Sequence, residues 1–245
     1  MEKGTVFFPE KEILETPADY GIDFEDVFFK TDDGLRLHGW WVVHPFADKT
    51  ILWFHGNAGN IGDRAHNLAL MYGHLNVNIF IFDYREYGKS EGSISRAGTY
   101  IDAEGAYRWV RDSGIEPRSL VLFGRSLGTA LAAYIAKKHP CAGLILEAAF
   151  TSSKDMISLY APHLAEALRE KGYDTLGIIK DITVPVLFVH GSHDEAIPLW
   201  MAQKLYESAN HPKELYIVSG AGHNDTYITG GSEYFRALRN FLDSL

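Results

Sequence analysis

The sequence predicts an α/β domain: a mostly parallel sheet of about eight strands, covered by helices on both faces. Two observations carry that prediction. From residue 50 onward, apolar runs of about five residues alternate with helix-patterned stretches of ten or more, as repeated βα units require. The chain has 245 residues, 46% of them hydrophobic, which is enough for one substantial core.

The elements follow in order. "EDVFFKT" and "LRLHGWWVVH" flank "DDG", a turn signal that makes them an antiparallel hairpin. "TILWFHG" is a buried strand. "RAHNLALMYGHL" then spaces Ala65, Leu68, Ala69 and Tyr72 along one helical face. After the strand "NVNIFIFDY", "GTYIDAEGAYRWVRDSG" reads as a helix with Ile101, Ala106 (or Gly105) and Trp109 inward and Gly114 closing it. "SLVLFG" is a strand, and a helix runs from Ser126 to about Lys138. The strands "AGLILEAAF", "VPVLFVHG" and "KELYIVSG" follow, with the helices "PLWMAQKLYESAN" and "SEYFRALRNFLDSL" after the last two. Residues 151–183 break the alternation. They hold helix and no strand, and read as a small helical cap over the strand ends or as a long crossover. Residues 1–245 are otherwise expected to form one domain.

Composition excludes several functions. A formal charge of −9 with no Lys/Arg cluster argues against nucleic acid. Cys141 is the only cysteine, so intrachain disulfides and cysteine-rich metal sites are out. The eleven histidines form no metal-ligand spacing, and neither metal nor cofactor is expected. No apolar run reaches membrane-span length, and "MEKGTVFFPE" lacks the basic start and apolar core of a signal peptide. The chain as it stands is expected to be soluble and cytoplasmic, with a membrane-anchored longer native form left open. Oligomeric state is not readable.

The chemistry centres on Ser126. It sits in G-R-S-L-G, between an apolar strand and an Ala/Leu-rich helix. A βα turn that projects a side chain from its tip brings its flanks close together, so Gly124 and Gly128 fit there. Ser126 would then stand at a helix N-terminus, where free N–H groups favour developing negative charge. The N–H of Leu127 is a natural oxyanion donor. The plain alternative is a serine helix cap.

A serine hydroxyl needs a base, and the base needs an orienting carboxylate. In this topology both should come from late strand ends, acid first. "LFVHGSHDEAIP" supplies Asp194 and "YIVSGAGHNDTY" supplies His223. Glu147 is the competing acid, or else a structural hydrogen-bonding residue, and Asp225 is too near the histidine in sequence. His190 reads as a buried, backbone-satisfied histidine, and His193 as pointing elsewhere. The loop "HGNAGN" after "TILWF" should give the second oxyanion donor, the N–H of Asn57 or, failing that, of Ala58. His55 reads as a brace for that loop.

With "TDDGLRLHGWWV", "FHGNAGN", "FDYREYGKSEG", "FGRSLG", "VPVLFVHGSHDEAIP" and "GAGHND" in this order, the chain resembles the α/β-hydrolase superfamily over nearly all its length. Within it the chain looks like the Bem46-like serine hydrolases, relatives of protein depalmitoylases and many bacterial esterases. The resemblance implies the α/β-hydrolase fold, Ser126 as nucleophile, Asp194 as acid, His223 as base, and the amides of Asn57 and Leu127 as oxyanion donors. It also implies a structural loop around Asp83, Arg85 and Ser90, in which Glu86 stands where the family usually has glycine. The depalmitoylases' cysteine-rich acylated N-terminus has no counterpart here, so their membrane-bound substrate does not carry over. The function implied is cleavage of carboxylic esters or thioesters through an acyl-enzyme, on a small-molecule or acyl substrate. Phe150, Met156, Tyr160 and Trp200 could line the acyl site. The rivals are a peptidase or lactonase on the same scaffold, and a non-catalytic binding protein that keeps the fold.

Overall fold

Strands β1 (Glu25–Lys30) and β2 (Arg36–Val42) form the expected hairpin, with Gly34 at φ 85° in the turn. The computed structural model describes residues 6–162 and 172–245. Six further strands continue the sheet: β3 (Thr50–Phe54), β4 (Asn78–Phe82), β5 (Leu120–Arg125), β6 (Gly143–Glu147), β7 (Val186–Gly191) and β8 (Lys213–Val218). Their spatial order is β8-β7-β6-β5-β3-β4-β2-β1. Strands β3 to β8 run parallel, and the hairpin joins antiparallel through β2 and β4. This is the mostly parallel eight-stranded sheet read from the sequence.

Side chains alternate across the sheet and feed two separate apolar cores. Leu52, Phe54, Phe80, Phe82, Leu122 and Leu146 point to one side. There they meet α2 (Arg96–Asp112), α3 (Leu127–Lys138) and α5 (Leu199–Ser208). Ile51, Trp53, Ile79, Ile81, Phe123 and Val189 point to the other, against α1 (Ala65–Leu75) and α6 (Gly231–Asp243). With helices on both faces, strands such as β3 and β5 are buried along their whole length, which explains their unbroken apolar runs.

Two helices turn differently from their expected faces. In α1 the buried stripe is Ala65, Leu68, Met71 and Leu75, with Ala69 and Tyr72 only half-buried. In α2 it is Thr99, Asp102, Ala103, Ala106 and Val110, and the helix starts at Arg96 because the Ser95 hydroxyl accepts the Gly98 N–H at 3.1 Å. Asp102 is buried because Arg85 draws it inward, so an acidic residue occupies a position that apolar patterning assigns to the surface.

In the irregular stretch, α4 (Ser153–Tyr160) and a turn at Thr175–Ile178 are helical. The middle of the expected cap, residues 163–171, lies outside the described residues. No helix among the described residues is long and apolar enough to cross a membrane.

Candidate active site

The chain reverses sharply where β5 meets α3. Ser126 occupies the tip at φ 52°, ψ −119°, a conformation costly for any residue with a side chain. Its N–H donates to the Glu147 carbonyl at 2.9 Å on the neighbouring strand, which helps hold the tip. The flanking glycines are required by space. A Cβ at Gly124 would lie 2.5 Å from the Gly128 carbonyl oxygen, and one at Gly128 would collide with the Phe54 carbonyl. Ser126 thus projects from the carboxyl end of a central strand.

Loops at the carboxyl ends of β7 and β8 bring Asp194 and His223 to the same rim. His223 Nδ1 lies 2.8 Å from Asp194 Oδ2, and its Nε2 lies 3.1 Å from Ser126 Oγ. The Asp194 side chain is fully enclosed and that of His223 is 13% exposed. Asp194 Oδ1 accepts the N–H groups of Ala196 and Ile197 at 2.9 and 2.7 Å. Burial works to raise the Asp194 pKa, but the His223 hydrogen bond and charge and the Ile197 N–H outweigh it and hold the carboxyl below its ordinary 3.8. An ionised carboxylate fixes the imidazole with Nδ1–H toward itself, which leaves Nε2 a lone pair facing the hydroxyl.

Asn57 and Leu127 come from adjacent strand ends, since Phe54 pairs with Gly124. Neither N–H has an acceptor among the described residues. Gly56 lies against Ser126, where its missing side chain leaves the approach open; an added Cβ would sit 3.5 Å from the Ser126 Cβ. The Tyr87 hydroxyl donates to the Asn57 carbonyl, and the Tyr84 hydroxyl donates to the His55 carbonyl at 2.9 Å. His55 is fully buried, hydrogen-bonds the Gly56 carbonyl through Nδ1 at 2.7 Å, and is pushed down to about 3 chiefly by burial. It braces this loop in the neutral form.

Of the other candidates, His190 borders this group, with its Nε2 3.4 Å from Asp194 Oδ2. His190 Nε2 bonds the Ile197 carbonyl at 2.8 Å, and burial lowers its pKa. His193 is exposed. Phe150 is buried and belongs to the core, Met156 packs partly against it, and Tyr160 and Trp200 are exposed. Around Asp83, Arg85 and Ser90 the charges pair outward. Arg85 forks onto Asp102 (Nη2–Oδ1 2.8 Å) and Asp33 (Nη1–Oδ2 2.9 Å), while the buried Asp83 accepts the Ile61 N–H at 3.0 Å. Glu86 sits at φ 71°, a left-handed position that favours glycine, and its Oε2 accepts the Ile94 N–H at 2.8 Å.

Sequence reasoning missed one constituent. Arg125, beside the serine and 6% exposed, donates from Nη2 to the His223 carbonyl at 2.7 Å and from Nε to Glu147 at 3.1 Å. Glu147 is fully buried and also accepts from Thr226 Oγ1 at 2.5 Å and the Tyr234 hydroxyl at 2.6 Å. The structural role expected as its alternative is therefore a substantial one: it anchors both ends of the histidine loop. An arginine closing an apolar run, one residue before Ser126, was the available signal, but its partners lie 22 and 98 residues away.

A sheet in this order, with a serine on a glycine-flanked, strained turn after β5, defines the α/β-hydrolase class. The Hydrolase_4 family model, described as serine aminopeptidase S33, matches residues 46–175. The alpha/beta hydrolase domain-containing protein WAV2 of Arabidopsis thaliana is 34% identical over 250 residues, covering 93% of this chain and 81% of that protein. Protein bem46 of Schizosaccharomyces pombe is 33% identical over 250 residues, covering 96% and 82%. An esterase of Pyrococcus furiosus, Pf2001, superposes with a TM-score of 0.81 at 21% identity, covering 97% of each chain. The chain belongs to the α/β-hydrolase superfamily.

Proposed function

We propose that the protein is a serine hydrolase that cleaves carboxylic esters or thioesters through an acyl-enzyme on Ser126. The observation that carries this reading is the unbroken hydrogen-bond chain Asp194–His223–Ser126 at a strained strand-to-helix turn. As Ser126 Oγ attacks the substrate carbonyl carbon, His223 Nε2 takes the hydroxyl proton. The carbonyl electron pair moves to oxygen, where the amides of Asn57 and Leu127 receive it. Collapse breaks the bond to the leaving oxygen or sulfur, which takes the proton from His223. Water repeats the cycle, again losing its proton to His223, and frees the acid and Ser126. Each oxyanion donor is worth about 3–4 kcal/mol in barrier height.

Residues 151–183 act in this reading as a small cap. The Tyr160 hydroxyl donates to the Ala196 carbonyl at 2.5 Å, which ties α4 to the loop that carries Asp194. The family model's description gives a second reading, cleavage of a peptide bond by the same steps. A fluorophosphonate probe should label the wild type and not Ser126→Ala; a label retained in the variant removes Ser126 as nucleophile. A p-nitrophenyl ester series of increasing acyl length, run beside aminoacyl p-nitroanilides, separates ester from peptide chemistry.

A further inference from the structure

A cavity of about 190 Å³ is lined by Asp63, Arg64, Asn67, Arg125, Asn224 and Tyr227. Two of its walls are guanidinium groups, and their charges are met differently. Arg125 is paired with the Glu147 carboxylate at 3.1 Å. Arg64 has no carboxylate oxygen within 4.0 Å among the described residues. Its Nη2 donates to the Ala58 carbonyl at 2.5 Å, and its Nε is enclosed with no acceptor. The adjacent Asp63 is engaged elsewhere, its Oδ2 accepting the Asn60 N–H at 2.8 Å. Asn67, only 3% exposed, also has an enclosed amide oxygen with no partner. Burial first, and then the like charge of Arg125, pull Arg64 below the ordinary guanidinium value, against the weaker attraction of Asp63 and Asp83.

A largely buried guanidinium whose nearest carboxylates, Asp63 and Asp83, act on it only from beyond ion-pair distance is a costly arrangement. Water entering the cavity would satisfy the orphan N–H but supply no contact ion pair. An anion would do both. An asparagine amide turns end for end without changing shape, so Asn67 can present its N–H₂ to the same ligand. We infer that this cavity is a binding site for a small oxyanion, a carboxylate or inorganic phosphate, held by Arg64 with Arg125 and Asn67 as further donors. The volume suits such a group with a few waters. The inference does not depend on the hydrolytic reading.

Titration calorimetry of the whole chain with inorganic phosphate and with acetate, at fixed ionic strength, tests it. The wild type should bind one anion saturably, and Arg64→Met should bind about 10-fold more weakly or not at all. Equal binding by a folded Arg64→Met, or no saturable binding by the wild type, overturns the site. Should that variant not fold, crystals of the wild type soaked in selenate decide the matter. An anomalous peak against Arg64 is expected, and a cavity holding only water overturns the inference. The source of the anion is read from kinetics on two p-nitrophenyl esters, one neutral and one carrying a free carboxylate. Phosphate raising KM for the acidic ester alone assigns the cavity to a substrate's own acid group; unchanged KM for both assigns it to a free anion.

Discussion

His55 shows how burial fixes a protonation state. The unfolded chain binds a proton there below about pH 6.5, whereas the folded protein resists until about 3. The unfolded state therefore binds more protons across that window, and His55 lowers stability as pH falls through it. The stability advantage of the wild type over His55→Gln should be constant above pH 7 and shrink by pH 5, as read from urea unfolding at both. A constant difference would mean that the fold takes up the imidazole's proton as readily as the unfolded chain does. Residues whose work is local were legible in the sequence. Gly124, Ser126 and Gly128 declare a cramped turn by their own sizes, and Asp194 and His223 follow recognisable strand ends. Arg125 was not legible, because its meaning lies in a carbonyl 98 residues away.

At the scale of elements, Glu147 at the end of β6 connects β5, the turn at Thr226–Thr229 and α6 through Arg125, Thr226 and Tyr234. Glu147→Gln keeps the shape but leaves Arg125 without its counter-charge, at a cost of about 3 kcal/mol. Denaturant unfolding should register that loss, and on a neutral ester kcat should fall while KM holds, since the change reaches His223 and not that substrate. Wild-type stability and kcat in the variant would deny the brace. The inner strands were legible because a sheet covered on both faces needs apolar residues along them. The faces of α1 and α2 were less so, because the polar residues Asn67 and Asp102 lie on their buried sides, Asp102 held there by Arg85, which periodicity does not register.

Over the whole molecule, the N-terminal segment is laced onto the rim. Phe8–Pro9 pairs with Ala58–Gly59, the Gly88 N–H donates to the Glu10 carbonyl at 2.8 Å, and Asn60 Nδ2 donates to the Glu12 carbonyl at 2.6 Å. Phe7 is buried in the core. Deleting residues 1–12 should lower Tm by roughly 6 °C or more, through the lost Phe7 alone. It should also reduce kcat by freeing the Asn57 loop; an unchanged melting curve and rate would show the lacing to be idle. Nothing in "VFFPEKEILE" announces this, since a two-residue pairing has no periodicity to detect.

The pairing of β3 with β5 sets a gauge. The loops bearing Asn57 and Leu127 spring from strands held side by side by main-chain hydrogen bonds, at the ~4.8 Å interval common to all sheets. That interval does not depend on side-chain identity. The roots of the two loops thus keep their separation while the residues beyond them are free to vary, and the rim can be reshaped without moving those roots apart.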